Sequence, residues 1–225
     1  MLFGGFNEWI SQLRSDPAGT IIEFVFLAVC ILTSLIIHEC AHGYVALKCG
    51  DPTAKMMGRL TLNPMKHLDP IGTICMVVLH VGWAKPVPVN PRNFRHYRRD
   101  YIFVSLAGIA VNFILFLLSL TIGVLMIKHL SVSVVTVYIL RFLFMLSRIN
   151  IGLAIFNLIP VPPLDGYRFV NQFLFRGRLD MNPQTMMIIR YVFLTICLTG
   201  ALSSVLSSLI GGVSDFFLNI LYRIL

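Results

Sequence analysis

The residues best suited to chemistry are two histidines and a glutamate near the end of the first long apolar run. His38, Glu39 and His42 form an HExxH pattern within LIIHECAHGYVALK. On a helix, positions i and i+4 lie on one face about a turn apart, so both imidazoles can bind one Zn²⁺ ion. The adjacent carboxylate can then reach a metal-bound water as a general base. The pattern therefore predicts a catalytic zinc site, against the alternative of two histidines merely packed in a helix.

A third zinc ligand is expected elsewhere in the chain, because a catalytic zinc usually has three protein ligands and one open position. Carboxylates are scarce, and the candidates are Glu23, Asp51, Asp69 and Asp165. Asp165 lies in FNLIPVPPLDGYR, where a proline-broken stretch follows an apolar run. Broken backbone at a membrane boundary can direct a carboxylate into a cavity, which favours this residue.

The elements that must position these residues are transmembrane helices. Of the 225 residues, 57% are hydrophobic and only 12% are charged, about half the charge of a soluble domain. Segments of roughly 20 apolar residues can cross a bilayer, and four qualify: Thr20–Leu47, Tyr101–Ile127, Val132–Leu158 and Gln184–Ile210. We therefore predict an all-α polytopic membrane protein with about four transmembrane helices. The basic excess of +8 lies beside these spans without an aromatic–basic reading surface, which argues against nucleic acid as a partner.

Three parts follow from these spans: an interfacial segment over 1–19, a membrane core over 20–210 and a C-terminal amphipathic segment over 211–225. The loop 48–100 contains Ile71–Trp83, which is apolar and β-branched but too short to cross a bilayer. We expect it to form a re-entrant segment or a β-hairpin. The AKPVPVNP run after it carries three prolines, which forbid helix and favour an extended strand.

The charge distribution predicts the orientation of the chain. Nine Lys and Arg and three Asp lie in 48–100, so the positive-inside rule places this loop in the cytoplasm and both termini outside. The histidines lie about ten residues before the cytoplasmic end of their span, so we expect the site to open toward the cytoplasm. The small size favours a prokaryotic plasma membrane.

Three separated motifs together resemble the site-2 protease family of intramembrane zinc metalloproteases. They are HECAH in the first span, GWAKPVPVNPRNF in the following loop and FNLIPVPPLDG after a later span. The resemblance extends from about residue 20 to about residue 178. It implies zinc ligands at His38, His42 and Asp165, a general base at Glu39 and a substrate-contacting or oxyanion-binding asparagine at Asn157. SLAGIAVNF contains Gly108 and Asn112, but Ile109 replaces a proline that is common in the family, so no role is transferred to Ile109.

The implied activity is zinc-dependent hydrolysis of peptide bonds within or near the transmembrane segments of single-span membrane proteins, that is, regulated intramembrane proteolysis in a lipid bilayer. The chain is too short for a regulatory PDZ or CBS domain, so the sequence predicts a minimal member. One alternative is a zinc-binding transporter or scaffold without protease activity. A second is a membrane-anchored zincin with a glutamate as third ligand, which the near absence of glutamate after Glu39 disfavours.

Polar residues inside the predicted spans give two further expectations, while the oligomeric state is left open. Arg141 and Arg148 share a face of the third span, and Arg148 is expected to contact a carbonyl cluster, an acidic group or a partner helix because a lipid-facing arginine is costly. A small-residue stripe in the last span is expected to favour internal packing over dimerisation; it comprises Gly200, Ser204, Ser208 and Gly212.

Overall fold

The protein is built from α-helices, as predicted, in a computed structural model that describes residue 11 and residues 13–69, 85–179 and 181–225. No strand occurs among these residues. The helices are α1 (Pro17–Lys48), α2 (Thr53–Met56), α3 (Tyr97–His129), α4 (Val134–Leu158), α5 (Asp165–Phe173), α6 (Pro183–Leu198) and α7 (Ser203–Ile224). Helices α1, α3, α4 and α7 are long and apolar enough to cross a membrane, so this is an integral membrane protein.

The fourth membrane helix lies further along the chain than the predicted span Gln184–Ile210. That run is divided between α6, which ends at Leu198, and α7, which begins at Ser203. Gly200 lies between them with φ +73°, a left-handed conformation that glycine adopts without a steric penalty. Helix α7 continues to Ile224, so most of the predicted C-terminal segment 211–225 belongs to the fourth span.

The other predicted boundaries fall partly outside the described residues. The predicted re-entrant or β-hairpin segment Ile71–Trp83 lies wholly within 70–84, which the structure does not describe. The residues just after it, 85–90, are non-helical, in agreement with their prolines. At the other end of the chain, α1 begins at Pro17, with the Asp16 side chain accepting a hydrogen bond from the Gly19 N–H as its N-cap.

Helix α3 is the central helix of the bundle and packs against α1, α4, α5 and α7. One cluster joins Phe116 and Leu120 of α3 to Ile151 of α4, and α7 covers it with Ile210, Val213 and Phe217. A second joins Leu27 and Cys30 of α1 to Ile149 of α4. The result is that the histidine-bearing part of α1 faces α3.

Candidate metal centre

Three side chains from two distant parts of the chain meet in the interior. His38 Nε2 and His42 Nε2 lie 3.1 and 3.0 Å from the same oxygen, Asp165 Oδ2, and 3.1 Å from each other. All three residues are buried, with exposed fractions of 5 to 7%. They form a group of three that could hold one metal ion.

The arrangement fits a zinc ion. Ligand atoms 2.0–2.1 Å from a tetrahedral zinc are about 3.3 Å apart, close to the spacing here. The donor set of two imidazoles and one carboxylate is also one that zinc accepts. Asp165 Oδ2 is buried without a hydrogen-bond donor and faces two imidazole nitrogens. When Nδ1 carries the proton on both rings, the Nε2 and Oδ2 lone pairs face one another and a cation between them removes their repulsion, so these residues are suited to bind zinc.

Helix α3 contacts the Nδ1 atoms of both imidazole rings, on the side opposite the Nε2 atoms that face Asp165. His42 Nδ1 lies 2.7 Å from the carbonyl oxygen of Val104, so Nδ1 carries the proton and donates it. The Nε2 lone pair of His42 is then free for a metal. The Asn112 Nδ2 atom lies 3.2 Å from His38 Nδ1, and Asn112 Oδ1 is buried without a hydrogen-bond partner. For His38 to present its own Nε2 lone pair, the Asn112 amide must be flipped, so that its oxygen accepts from Nδ1.

A glycine on α3 allows the two helices to come this close. A Cβ atom at Gly108 would lie 2.4 Å from His38 Cε1 and 2.5 Å from His42 Nε2. No side chain can therefore occupy this position while the rings keep their places. In the sequence, Gly108 and Asn112 are recognisable only as parts of a motif, because their contacts with the histidines depend on how α1 and α3 pack.

Asp165 is brought to the histidines by the break between α4 and α5. It is the first residue of α5, and a Cβ on the next residue, Gly166, would lie 2.3 Å from the Leu158 carbonyl oxygen. The start of α5 thus packs directly on the end of α4. At the other end of α5, the Arg98 side chain donates hydrogen bonds to the carbonyl oxygens of Gln172 and Phe173. Both ends of the short helix are thereby fixed.

The predicted general base, Glu39, contacts the proline-rich segment 85–93 of the loop 48–100. Its Oε2 atom accepts a hydrogen bond of 2.8 Å from the backbone N–H of Val87. The Val87 side chain is buried over Gly43, one turn further along α1, where an added Cβ would lie 2.8 Å from it. The segment therefore packs on the same helix that carries the histidines.

Two charged side chains hold this segment on either side of Val87. Arg59 donates to the carbonyl oxygens of Lys85 and Pro86, over 2.7 and 3.2 Å. Asp51 accepts from the Asn90 N–H at 2.7 Å. The Asn93 amide also donates to Asp51, and the Thr53 N–H and hydroxyl group do so as well. Burial of Asp51 opposes ionisation of its carboxyl group, but these hydrogen bonds favour the ionised form more strongly. They keep the pKa of Asp51 below its usual value.

The two asparagines of α4 donate hydrogen bonds to groups other than His38, His42 and Asp165. The Asn157 amide donates to the Leu153 carbonyl oxygen within α4, at 3.0 Å. Asn150 is buried and donates to Ser34 Oγ, one turn before His38 on α1. Two other predicted candidates for the third ligand lie elsewhere: Glu23 pairs with Arg141, and Asp51 holds the proline-rich segment.

The fold and the site together define a class: an integral membrane protein with a buried His-His-Asp centre suited to zinc. A model of peptidase family M50 matches residues 26–200 of the chain. The chain belongs to this family, which confirms the resemblance to the site-2 proteases.

Two relatives have names that describe the same chemistry. "Putative zinc metalloprotease YwhC" of Bacillus subtilis (strain 168) is 39% identical over 197 residues, which cover 87% of this chain and 90% of the relative. "Putative zinc metalloprotease Rip2" of Mycolicibacterium smegmatis (strain ATCC 700084 / mc(2)155) is 30% identical over 191 residues, 81% of this chain and 67% of the relative. No solved structure gives a significant match.

Proposed function

We propose that this protein is an intramembrane zinc endopeptidase in which His38, His42 and Asp165 hold the metal and Glu39 is the general base. The observation that carries the proposal is the convergence of the three ligand atoms within 3.1 Å of one another at the HExxH turn of a membrane helix. Membership of a peptidase family supports the reaction class. When bound, zinc lowers the pKa of a coordinated water and polarises the scissile carbonyl group.

The role of Glu39 is to take a proton from the attacking water and deliver it to the leaving amine. The hydrogen bond from the Val87 N–H to Oε2 supports this role because it fixes the direction of the carboxylate and leaves Oε1 to handle the proton. The Val87 amide is in turn fixed by Arg59 and Asp51. Preorganisation of this kind matters because misplacing a catalytic group by 1 Å can cost about 10²-fold in rate.

Asn157 is proposed to donate to the oxyanion that develops on the scissile carbonyl, a contribution worth about 10²–10³ in rate where it has been measured. Its amide lies on α4 one residue before the helix ends at Leu158 and the break that leads to Asp165 begins. Because the amide donates to Leu153 within its own helix, its rotamer must change for this role. A substrate carbonyl would then replace the Leu153 carbonyl as acceptor.

The proposed substrates are single-span membrane proteins, cut within or near the membrane in regulated proteolysis. A helical substrate must unwind, since its peptide bonds are otherwise enclosed in helical hydrogen bonds. We propose that the first loop holds the unwound chain by strand addition. Pro86 and Pro88 have no N–H, and the N–H groups of Lys85, Val87 and Asn90 already have acceptors. These N–H groups of Lys85, Val87 and Asn90 are therefore not proposed as donors to a substrate strand.

The proposed setting is a prokaryotic plasma membrane, with the loop 48–100 and the site's opening in the cytoplasm. The nine basic residues of this loop support the orientation. A cavity of about 580 Å³ lies on the same side of the bundle; it is bordered by the start of α3 and by α5 and α6, with Arg168 and Tyr167 in its wall. The Arg168 guanidinium lies 3.9 Å from Asp165 Oδ1, so this cavity is the proposed route by which water approaches Asp165.

The alternative, a zinc-binding transporter or scaffold, is distinguished by catalysis itself. Glu39→Gln should retain zinc and lose cleavage of a co-expressed single-span substrate. Glu23→Gln makes the same change on the same helix at a residue that pairs with Arg141, and it should retain cleavage. Equal cleavage by Glu39→Gln and the parent would reject the protease assignment. The inactive variant can also be isolated from membranes to identify the substrate it retains.

A further inference from the structure

The outer face of α7 is unusually polar for a helix that lies against lipid. Ile210, Val213 and Phe217 pack inward on α3 and α4. The opposite face is exposed and, at 100° per residue, spans an arc of about 80°; it comprises Ser204, Ser208, Gly212, Asp215 and Asn219. Such stripes of small and polar residues in membrane helices usually contact another helix. The predicted internal packing of the small-residue stripe is therefore wrong for the described part of the chain, because Ser204, Ser208 and Gly212 are exposed.

Asp215 lies near the middle of α7. It follows Ser203 by twelve residues and precedes Ile224 by nine, so at 1.5 Å per residue it lies about 18 and 14 Å from the helix ends. Its side chain is exposed and has no basic partner among the described residues. A lone carboxylate at this depth is costly in lipid.

Arg148 presents the complementary charge on α4. It is fourteen residues after Val134 and ten before Leu158, about 21 and 15 Å from the ends, too far for its side chain to reach either membrane surface. It is exposed and has no acceptor within the described part of the chain. Arg141, two turns earlier on the same face, differs because Glu23 of its own chain lies 3.2 Å away.

The two unpaired charges lie at the same depth. Helix α7 runs antiparallel to α4, with Ile210 beside Gly152. Phe217 packs on Phe116, whose carbonyl oxygen accepts a hydrogen bond from Ser147. The level of α7 between residues 210 and 217 therefore corresponds to the level of α4 between 152 and 147. Asp215 and Arg148 both fall inside this interval.

The two residues are not placed to pair within one chain. Asp215 follows Ile210 by five residues and precedes Phe217 by two, so it lies about 140° and 160° around α7 from the residues that face the bundle. Its carboxylate consequently points away from α4.

We propose that this protein forms a homodimer in the membrane through α4 and the outer face of α7, with Arg148 of each protomer paired with the partner's Asp215. A two-fold axis along the membrane normal brings residues of equal depth together, and it forms this ion pair twice. Each pair removes two uncompensated charges from lipid. The serines and glycine of α7 allow the partner helix to approach closely.

Exchanging the charges at positions 148 and 215 tests the proposal. The measured quantity is the oligomeric state, which does not depend on proteolytic activity. The full chain should show a monomer–dimer equilibrium in lipid nanodiscs or mild detergent. The mass is measured over a dilution series. Arg148→Glu and Asp215→Arg should each weaken dimerisation about tenfold, since each variant removes both ion pairs and places like charges opposite one another. The double variant R148E/D215R should restore it. Arg141→Gln, whose arginine has its own partner, should leave the dimer unchanged.

Crosslinking separates the proposed pair from an intramolecular one. Two differently tagged chains, one carrying Arg148→Cys and the other Asp215→Cys, should form a mixed disulfide dimer when expressed together. Neither chain expressed with an unsubstituted partner should form it. A monomeric parent, single variants that dimerise like the parent, or a crosslink that forms only within a chain carrying both cysteines would each overturn the proposal.

Discussion

At the scale of single residues, the site depends as much on the groups behind the imidazoles as on the ligands themselves. Val104 and Asn112 lie on one helix and contact the Nδ1 atoms of His42 and His38. Partners of this kind fix the tautomer and the direction of a metal-binding histidine. We therefore expect helix α3 to influence whether the HExxH turn binds zinc, although it supplies none of the three proposed ligands.

Replacing the Asn112 amide by an apolar group should weaken zinc binding. Asn112→Leu removes the acceptor for His38 Nδ1, and we expect a loss of about 10–100-fold in zinc affinity, measured by competition with a chromophoric chelator. Asn112→Asp keeps an acceptor and should retain most of the affinity. Asn150→Leu is a matched control, because it removes a buried amide that contacts Ser34 instead of a histidine. Equal affinities for the leucine variants would contradict this role of Asn112.

A methyl group at position 108 should be enough to disrupt the metal centre. Gly108→Ala places Cβ within 2.6 Å of atoms in both rings, so the histidines or α3 must shift. We expect zinc affinity to fall at least about tenfold, measured by metal analysis after dialysis against a weak chelator. Gly123→Ala on the same helix meets only the edge of Phe144, at 3.2 Å, and should retain zinc. Full zinc content in the Gly108 variant would show that the close approach is not required.

At the scale of elements, the proline-rich segment 85–93 is held against α1 by side-chain contacts instead of by a helix or sheet. Arg59 binds one end, Asp51 binds the other, and Val87 fills the space above Gly43 between them. The prolines remove the N–H groups that would otherwise need acceptors. The remaining Val87 N–H meets Glu39, so the position of this segment and the direction of the predicted base are coupled.

Asp51 should contribute stability that depends on pH. Its pKa is lowered in the folded protein, so its contribution is complete above the unfolded carboxyl pKa of about 3.9 and is lost as pH falls through the folded value. Asp51→Asn should reduce the free energy of unfolding at pH 7 by about 1.5–3 kcal/mol. The difference from the parent, measured by unfolding in mixed micelles, should shrink below about pH 4.

A control for this prediction removes a donor and keeps the carboxylate. Asn93→Ala takes one hydrogen bond from Asp51, so it should lower stability by less and keep most of the pH dependence. A difference between Asp51→Asn and the parent that stays constant from pH 7 to below pH 4 would exclude an ionised Asp51 as its source.

At the scale of the whole molecule, the candidate metal centre brings together residues of two helices that are distant in the chain. His38 and His42 belong to α1, Asp165 belongs to α5, and more than a hundred residues separate them in sequence. Helix α5 is short and follows an irregular, proline-rich stretch, so the bond from Asp165 to a shared ion would anchor it to the bundle. The ion is therefore expected to stabilise the folded protein as well as to serve in the proposed reaction.

Removing zinc should destabilise the protein and loosen α5 in particular. A ligand at a thousand times its dissociation constant contributes about 4 kcal/mol to stability. Chelation should lower the melting temperature and increase hydrogen exchange in 159–173, and added zinc should reverse both changes. The double variant H38A/H42A should show no response to chelator. Unchanged exchange in 159–173 after verified zinc removal would contradict this linking role.

The sequence by itself determined the membrane character, the number of long helices, the positions of the first three and the HExxH turn. These follow from local properties, because the length of an apolar run and the i, i+4 spacing on a helix do not depend on the rest of the fold. Family motifs also indicated Asp165, and the structure places its carboxylate beside both histidines. The break at Gly200 was not predicted, since an apolar run looks continuous although one residue in a left-handed conformation divides it.

Only the tertiary structure decided the contacts between distant segments. The approach of Gly108 and Asn112 to the histidines, the hydrogen bond from Val87 to Glu39 and the shared depth of Arg148 and Asp215 all depend on how helices cross and on their register. No local pattern encodes these quantities, because each is set by side chains on two elements packing together.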